Sequence, residues 1–237
     1  MSDFDFDFDF SEDEPQKNIN KKQFVCDVCG KPQFKADSFV TRRSNNIYRK
    51  AYSELNLFDV MPSVFNENDV VHVISGGDVD SLTFIKYLLR LQNLEYLLFS
   101  TWCMATDDIL LFDEWISSGK IKRLDAYVGE IFTGSYSKEY DLLKKVVNKC
   151  DGRVCVFRNH SKVYAGKGDN FSFIIESSAN INTNPRAENT VLTISEEAYN
   201  FYKNHFDIST VHPNYSLFRT KNNRSHKSCS KSRKSNF

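Results

Sequence analysis

The sequence predicts an α/β protein built on a mixed, mostly parallel sheet covered by helices on both faces, and three observations lead there. Apolar, β-prone runs alternate with segments of helical period: 70–74 then 82–90, 94–100 then 107–116, 122–128 then 137–149, and last 152–157. Strands joined by helical crossovers pair in parallel and are buried on both faces, so each run reads as nearly continuous apolar residues. The 237 residues, 41% hydrophobic and 14% aromatic, are enough for one sizeable domain with short extensions.

Four segments follow in chain order. Residues 1–20 open with alternating Phe and Asp and continue Ser-Glu-Asp-Glu-Pro. The carboxylates repel one another and no partner strand follows closely, which predicts a disordered acidic-aromatic tail rather than a strand. Residues 21–67 form a lead-in. It contains Cys26-Asp-Val-Cys29-Gly30, the shape of a zinc knuckle, but no second pair follows at ribbon spacing, so free thiols are the preferred reading and no metal is assigned. Within it, 39–60 carries Tyr48, Tyr52, Leu55, Leu57 and Phe58 among basic residues and reads as a short amphipathic helix or irregular chain. Residues 68–212 form the domain that carries the chemistry. Residues 213–237 lose the apolar pattern and hold seven Lys or Arg with no acid, a solvated basic tail suited to phosphate backbones.

The formal net charge is zero, with acid concentrated at the start and base at the end. No apolar run reaches membrane-spanning length and the N-terminus is acidic, so neither a span nor a signal peptide is expected. The six scattered cysteines lack the density of a secreted disulfide framework, which points to a reduced, cytoplasmic setting.

Inside the domain, Val70 to Ile74 is a buried-strand signal, the turn 75–81 contains Gly76 and Gly77, and Asp80 or Ser81 caps the following helix. His72 lies in the apolar run and reads as core. The helix over 107–116 has an acidic first turn that suits its dipole and stops at Gly119. The helix over 137–149 presents Tyr140, Leu143, Val146 and Val147 on one face. After Asn189, 190–194 is a last strand, and Ser195 caps a helix.

The chemistry concentrates after residue 157. His160 and Lys162 stand two apart at the start of an apolar run, a spacing that puts both side chains on one side of a strand. A hairpin follows, its tip placed at Gly166-Lys-Gly-Asp-Asn170, where Gly and Asn supply positive φ. Then come Ser177-Ser178-Ala179-Asn180. A strand histidine alone is usually a satisfied structural group. With Lys162, Ser178 and Asn180 in order, function becomes the better reading. Neutral imidazole is available near pH 7, and a fixed positive charge beside it suits attack at phosphorus. Asn184 and Arg186 either bind phosphate or close an Asn-Pro-Arg turn; His205, His212 and His226 receive no role.

His160-x-Lys162, a hairpin and Ser178-x-Asn180 resemble the His-x-Lys motif of the phospholipase D superfamily, and the order of elements resembles a single phospholipase D-like domain over roughly 68–205. The match departs where the family has an Asp, occupied here by Lys167 with Asp169 nearby, and where Ser177 replaces the usual Gly. The resemblance implies His160 as nucleophile through a phosphohistidine, with Lys162, Ser178 and Asn180 binding the phosphoryl group and Glu188 orienting the histidine. It implies no cofactor and no metal. With one motif in the chain, it also implies a homodimer that brings two copies of His160 into one site.

The function expected is therefore a metal-independent phosphodiesterase, a nuclease-like hydrolase of bacterial or phage type acting on nucleic acid, DNA before RNA. The alternative is a weak or inactive phospholipase D-like nucleic-acid-binding module. A second rival rests on Ser75-Gly-Gly-Asp-Val-Asp-Ser81, which resembles the pyrophosphate loop of ATP-pyrophosphatase-type enzymes. It is one residue too long and aims two aspartates at the phosphate, so a structural turn is preferred.

Overall fold

A computed structural model describes residues 40, 43–181 and 186–211, all within the unit Ser38–Lys227. The acidic tail, Cys26 and Cys29, Asn184, His212 and the tail 213–237 lie outside the described residues.

The chain runs β1 (Asn45–Ala51), α1 (Glu54–Val60), β2 (Asp69–Ser75), α2 (Ser81–Leu88), β3 (Leu94–Thr101), α3 (Thr106–Ser117), β4 (Leu124–Gly129), α4 (Ser137–Asn148), β5 (Val154–Phe157), β6 (Val163–Gly168), β7 (Ser172–Ser177), β8 (Glu188–Ile194) and α5 (Glu196–Val211). The strands form one sheet in the order β1-β2-β8-β7-β6-β3-β4-β5. The sheet is mixed. Strands β1, β2, β7, β3, β4 and β5 run one way, and β6 and β8 run against them.

Alternation along the strands builds two apolar layers. On one face Val71 and Val73 of β2, Leu97 and Phe99 of β3, and Leu124, Ala126 and Val128 of β4 pack with Phe84 and Ile85 of α2, Ile109 and Phe112 of α3, and Leu143 and Val147 of α4. Phe99 stacks on Phe112 with centroids 5.0 Å apart. Each fully buried side chain of this size contributes about 2 kcal/mol of transfer free energy. On the other face Leu98, Tyr127, Ala165 and Ile174 meet Ala198, Tyr199 and Phe206 of α5. Asp125, fully buried, accepts from the Tyr96 hydroxyl at 2.8 Å and from Arg153 Nε at 2.9 Å, and Arg153 reaches on to Asp207 of α5. That chain of charges ties α5 to the sheet. Among the described residues no helix is long and apolar enough to cross a membrane.

Three expectations are corrected. The segment 39–60 holds a strand before its helix: β1 pairs in parallel with β2, so the sheet extends upstream of residue 68. Its side chains are mostly exposed because it is an edge strand. His72 is not core. It points to the face that α5 leaves open at this end of the sheet, where it stacks on Tyr48 at 4.7 Å beside Ile74, and those two neighbours are 70% and 50% exposed. Finally, Gly166 and Gly168 belong to β6 and not to the hairpin tip. Neither has positive φ among the described residues; a Cβ at Gly166 would meet the Phe173 ring at 2.3 Å, so the glycine is required by close approach.

Candidate active site

The forward ends of β3, β4 and β5, the start of β6, the end of β7 and the start of β8 converge at one edge of the sheet. Ligand sites of open α/β sheets favour such an edge, where successive turns each present side chains. His160 and Lys162 lie in the turn 158–162, just ahead of β6, and still point together. Lys162 Nζ stands 2.9 Å from His160 Nδ1 and 3.4 Å from Nε2, and donates to the His160 carbonyl at 2.8 Å. Burial pulls the Lys162 pKa down, against the thiol of Cys103 and the carboxylate of Glu188, which act to raise it.

A buried amide fixes the turn. Asn159, 4% exposed, donates from Nδ2 to Ser100 Oγ at 2.8 Å and to the Tyr127 carbonyl at 2.9 Å. Its Oδ1 accepts from the backbone N–H and hydroxyl of Ser161 at 3.0 and 2.7 Å, and the Ser161 and Ser100 hydroxyls lie 2.6 Å apart. Every polar atom of this side chain is thus paired with β3, β4 or the turn itself. A paired network away from water holds geometry well, because opening it strands several groups at once.

The hairpin β6–β7 delivers the second half of the motif. Val163 lies opposite Glu176, and Ser177 N–H donates to the Lys162 carbonyl at 3.0 Å, which sets Ser178 beside the lysine whatever the length of the tip. Ser178 donates its hydroxyl to Glu188 and accepts from Asn189 N–H at 3.1 Å. Glu188 acts on Lys162 through its charge, and among the described residues it makes no direct bond to the His160 ring. The Asn180 carbonyl accepts from Ser81 Oγ at 3.1 Å, while its side-chain Oδ1 is buried without a partner among the described residues.

Lys167, at the family's Asp position, projects from β6 and pairs with Glu196 at 2.8 Å. Asp169 is exposed at the hairpin tip, and Arg186 is exposed. The turn at 75–81 is a structural one: Asp80 caps α2, accepting from Thr83 N–H at 2.9 Å, and so places a carboxylate at the helix start where a pyrophosphate would bind. Among the described residues no cluster of three or more His, Cys, Asp or Glu could hold a metal ion.

The structure adds two residues the sequence did not single out for a role. Asn159 adjoins His160, and nothing in a bare Asn marks it as buried. Trp102, immediately past β3, lies with its ring centroid 5.5 Å from that of His160 at 48°. An aromatic residue directly after the end of a central strand was the available signal.

No protein-family model matches the chain, and no curated protein does. Among solved structures, polyphosphate kinase from Porphyromonas gingivalis superposes on 59% of this chain at 14% identity and TM-score 0.42. Phosphatidylserine synthase from Haemophilus influenzae Rd KW20 covers 61% at 14% identity and TM-score 0.43. The archaeal chromatin protein TrmBL2, described as binding DNA in a novel mode, covers 64% at 13% identity and TM-score 0.39. The chain spans 25%, 39% and 55% of these three proteins' lengths, respectively. At such distance the likenesses carry nothing about chemistry, which rests on the residues themselves.

Proposed function

We propose that this chain is a metal-independent phosphodiesterase acting on nucleic acid, with His160 as nucleophile and a homodimer completing the site. The observation that carries the proposal is the ammonium of Lys162 held against the His160 imidazole, with Ser178 set beside it by the Ser177–Lys162 backbone bond. A phosphate oxygen arriving at the edge draws Lys162 Nζ to itself and frees a ring nitrogen. That nitrogen attacks phosphorus, a P–N bond forms, and the P–O bond to the leaving oxygen breaks in line. Lys162 and the Ser178 hydroxyl meet the charge on the non-bridging oxygens. The leaving oxygen takes a proton from the second copy of His160, which then deprotonates the water that hydrolyses the phosphohistidine. Asn180 and Glu188 keep supporting roles: Glu188 holds Ser178 until substrate arrives, and its charge favours the ammonium form of Lys162. The bacterial or phage origin follows from the family resemblance alone, and the cytoplasmic setting from the scattered cysteines.

A second reading, a weak or inactive nucleic-acid-binding module, is favoured by Lys167, which puts a cation where the family has its Asp. The two are separated by incubating labelled single- and double-stranded DNA with the gel-filtered protein in excess EDTA. The enzyme reading expects cleavage that disappears in His160→Ala. Binding with steep salt dependence and no cleavage by either protein leaves the module reading instead.

A further inference from the structure

The geometry points to Trp102 as a stacking platform for an unpaired base, which makes single-stranded nucleic acid the substrate class of this site; the inference rests on the proposed phosphodiesterase reading and deepens it. Three observations converge on this residue. Trp102 stands at the forward end of β3, half-buried, with its ring in contact with that of His160. The neighbouring strand makes room for it, since a Cβ at Gly129 would meet Trp102 Cε3 at 2.7 Å, so only glycine lets the indole lie against β4 at this point. Next to it, Asn159 Nδ2 donates to the Thr101 carbonyl at 3.5 Å, which ties the end of β3 to the turn that carries His160 and Lys162.

A nucleotide whose phosphate sits on His160 and Lys162 carries its base one sugar away. The indole 5.5 Å from the imidazole lies at that reach. Stacking needs a free base face, which a strand end or loop offers and an intact duplex does not. Stacking tolerates any base, so the platform selects strandedness and leaves sequence unread. Trp102 would touch substrate without entering the bond-making steps.

The chain has two tryptophans, and Trp115 is 5% exposed and packed edge-on against Phe112, so Trp102 is the responsive fluorophore. The test uses the full chain carrying His160→Asn, which removes the proposed nucleophile and leaves the probe intact. It is titrated with a thymidine oligonucleotide, an abasic phosphodiester of equal length, the corresponding duplex, and a uridine oligonucleotide that tests the sugar. A second variant with Trp102→Phe serves as the fluorescence blank.

Expected is quenching of the Trp102 emission by both single strands and by neither the abasic strand nor the duplex. Trp102→Ala is expected to weaken the thymidine strand roughly 5- to 100-fold and leave the abasic strand within about twofold. Equal binding of thymidine and abasic strands with unchanged emission, while Lys162→Ala still weakens both, overturns the platform and spares the phosphodiester reading. If Lys162→Ala alters no probe, that reading falls and takes this inference with it. Should Trp102→Ala fail to fold, the quenching arm still decides, because it reads the native indole.

Discussion

The turn that carries His160 and Lys162 is fastened from beneath by a buried amide, whereas Ser178 on the facing turn is held at the rim by partners that water also reaches. In the first, Asn159 spans β3 and β4 with buried bonds and reaches on to the exposed Ser161. In the second, Ser178 and Glu188 hold one another at an exposed position. The difference matches what each side would be asked to do. A nucleophile works from a fixed position, since a small misplacement costs rate steeply. A hydroxyl that must turn from Glu188 to an incoming phosphate exchanges partners at little cost when both states are wet.

The contrast can be broken from either side. Asn159→Ala removes the acceptor of the Ser161 N–H and takes one bond each from Ser100 Oγ, Ser161 Oγ and the Tyr127 carbonyl. We expect a loss of about 4 kcal/mol in urea unfolding, and at least about a hundredfold in cleavage under conditions where the variant is folded. A buried network remote from the site is the control. Asp125→Ala leaves Arg153 facing Asp207 and Tyr96 without its acceptor, and is expected to cost about 3 kcal/mol, since Arg153 keeps some access to water. Its cleavage rate, measured on the folded fraction, should stay near wild type. Equal rate losses for both variants would show that stability alone, not the turn, sets the rate.

Ser178→Ala should reverse that pattern, with under about 1 kcal/mol lost in stability and about 10- to 100-fold lost in kcat. The smallest effect concerns pH. Burial first, then the charges of Asp80 and Asp107, push the Asp108 carboxyl up to about 6 from 3.8. The folded state therefore holds that proton more tightly than the unfolded chain. The stabilising contribution is complete below about pH 4 and is lost as pH rises towards 6. Asp108→Asn keeps an acceptor for Ala105 N–H and removes the charge. It should raise stability at pH 7 by about 1 kcal/mol and change nothing near pH 3.5, as thermal melts at the two pH values would reveal.

Where a sequence segment makes its own contacts, its structure was legible. The runs from β2 through β5 show their period because each element buries a continuous stripe, and Asp80 and Gly119 mark a helix start and stop by local chemistry. Strand β1 was hidden because an edge strand with Tyr48 and Lys50 in water has no apolar alternation strong enough to see. His72 sits in an apolar run, and only the placement of α5 over the other half of the sheet decides that its face stays open. The glycines of β6 looked like turn residues because the Phe173 ring above Gly166 comes from another strand. At the site, the order of His160, Lys162, Ser178 and Asn180 pointed to one edge, and the hairpin register explains why. Asn159 and Trp102 escaped because their roles depend on β3 and β4, far away in sequence.

The central claim is a covalent bond between His160 and phosphorus, and the stereochemical course of cleavage tests it most directly. A diester made chiral at phosphorus, cleaved in isotopically labelled water, reports how many in-line displacements occurred. Two displacements through a phosphohistidine predict overall retention. Inversion would mean that water attacks phosphorus in a single step, and would remove His160 from the role of nucleophile.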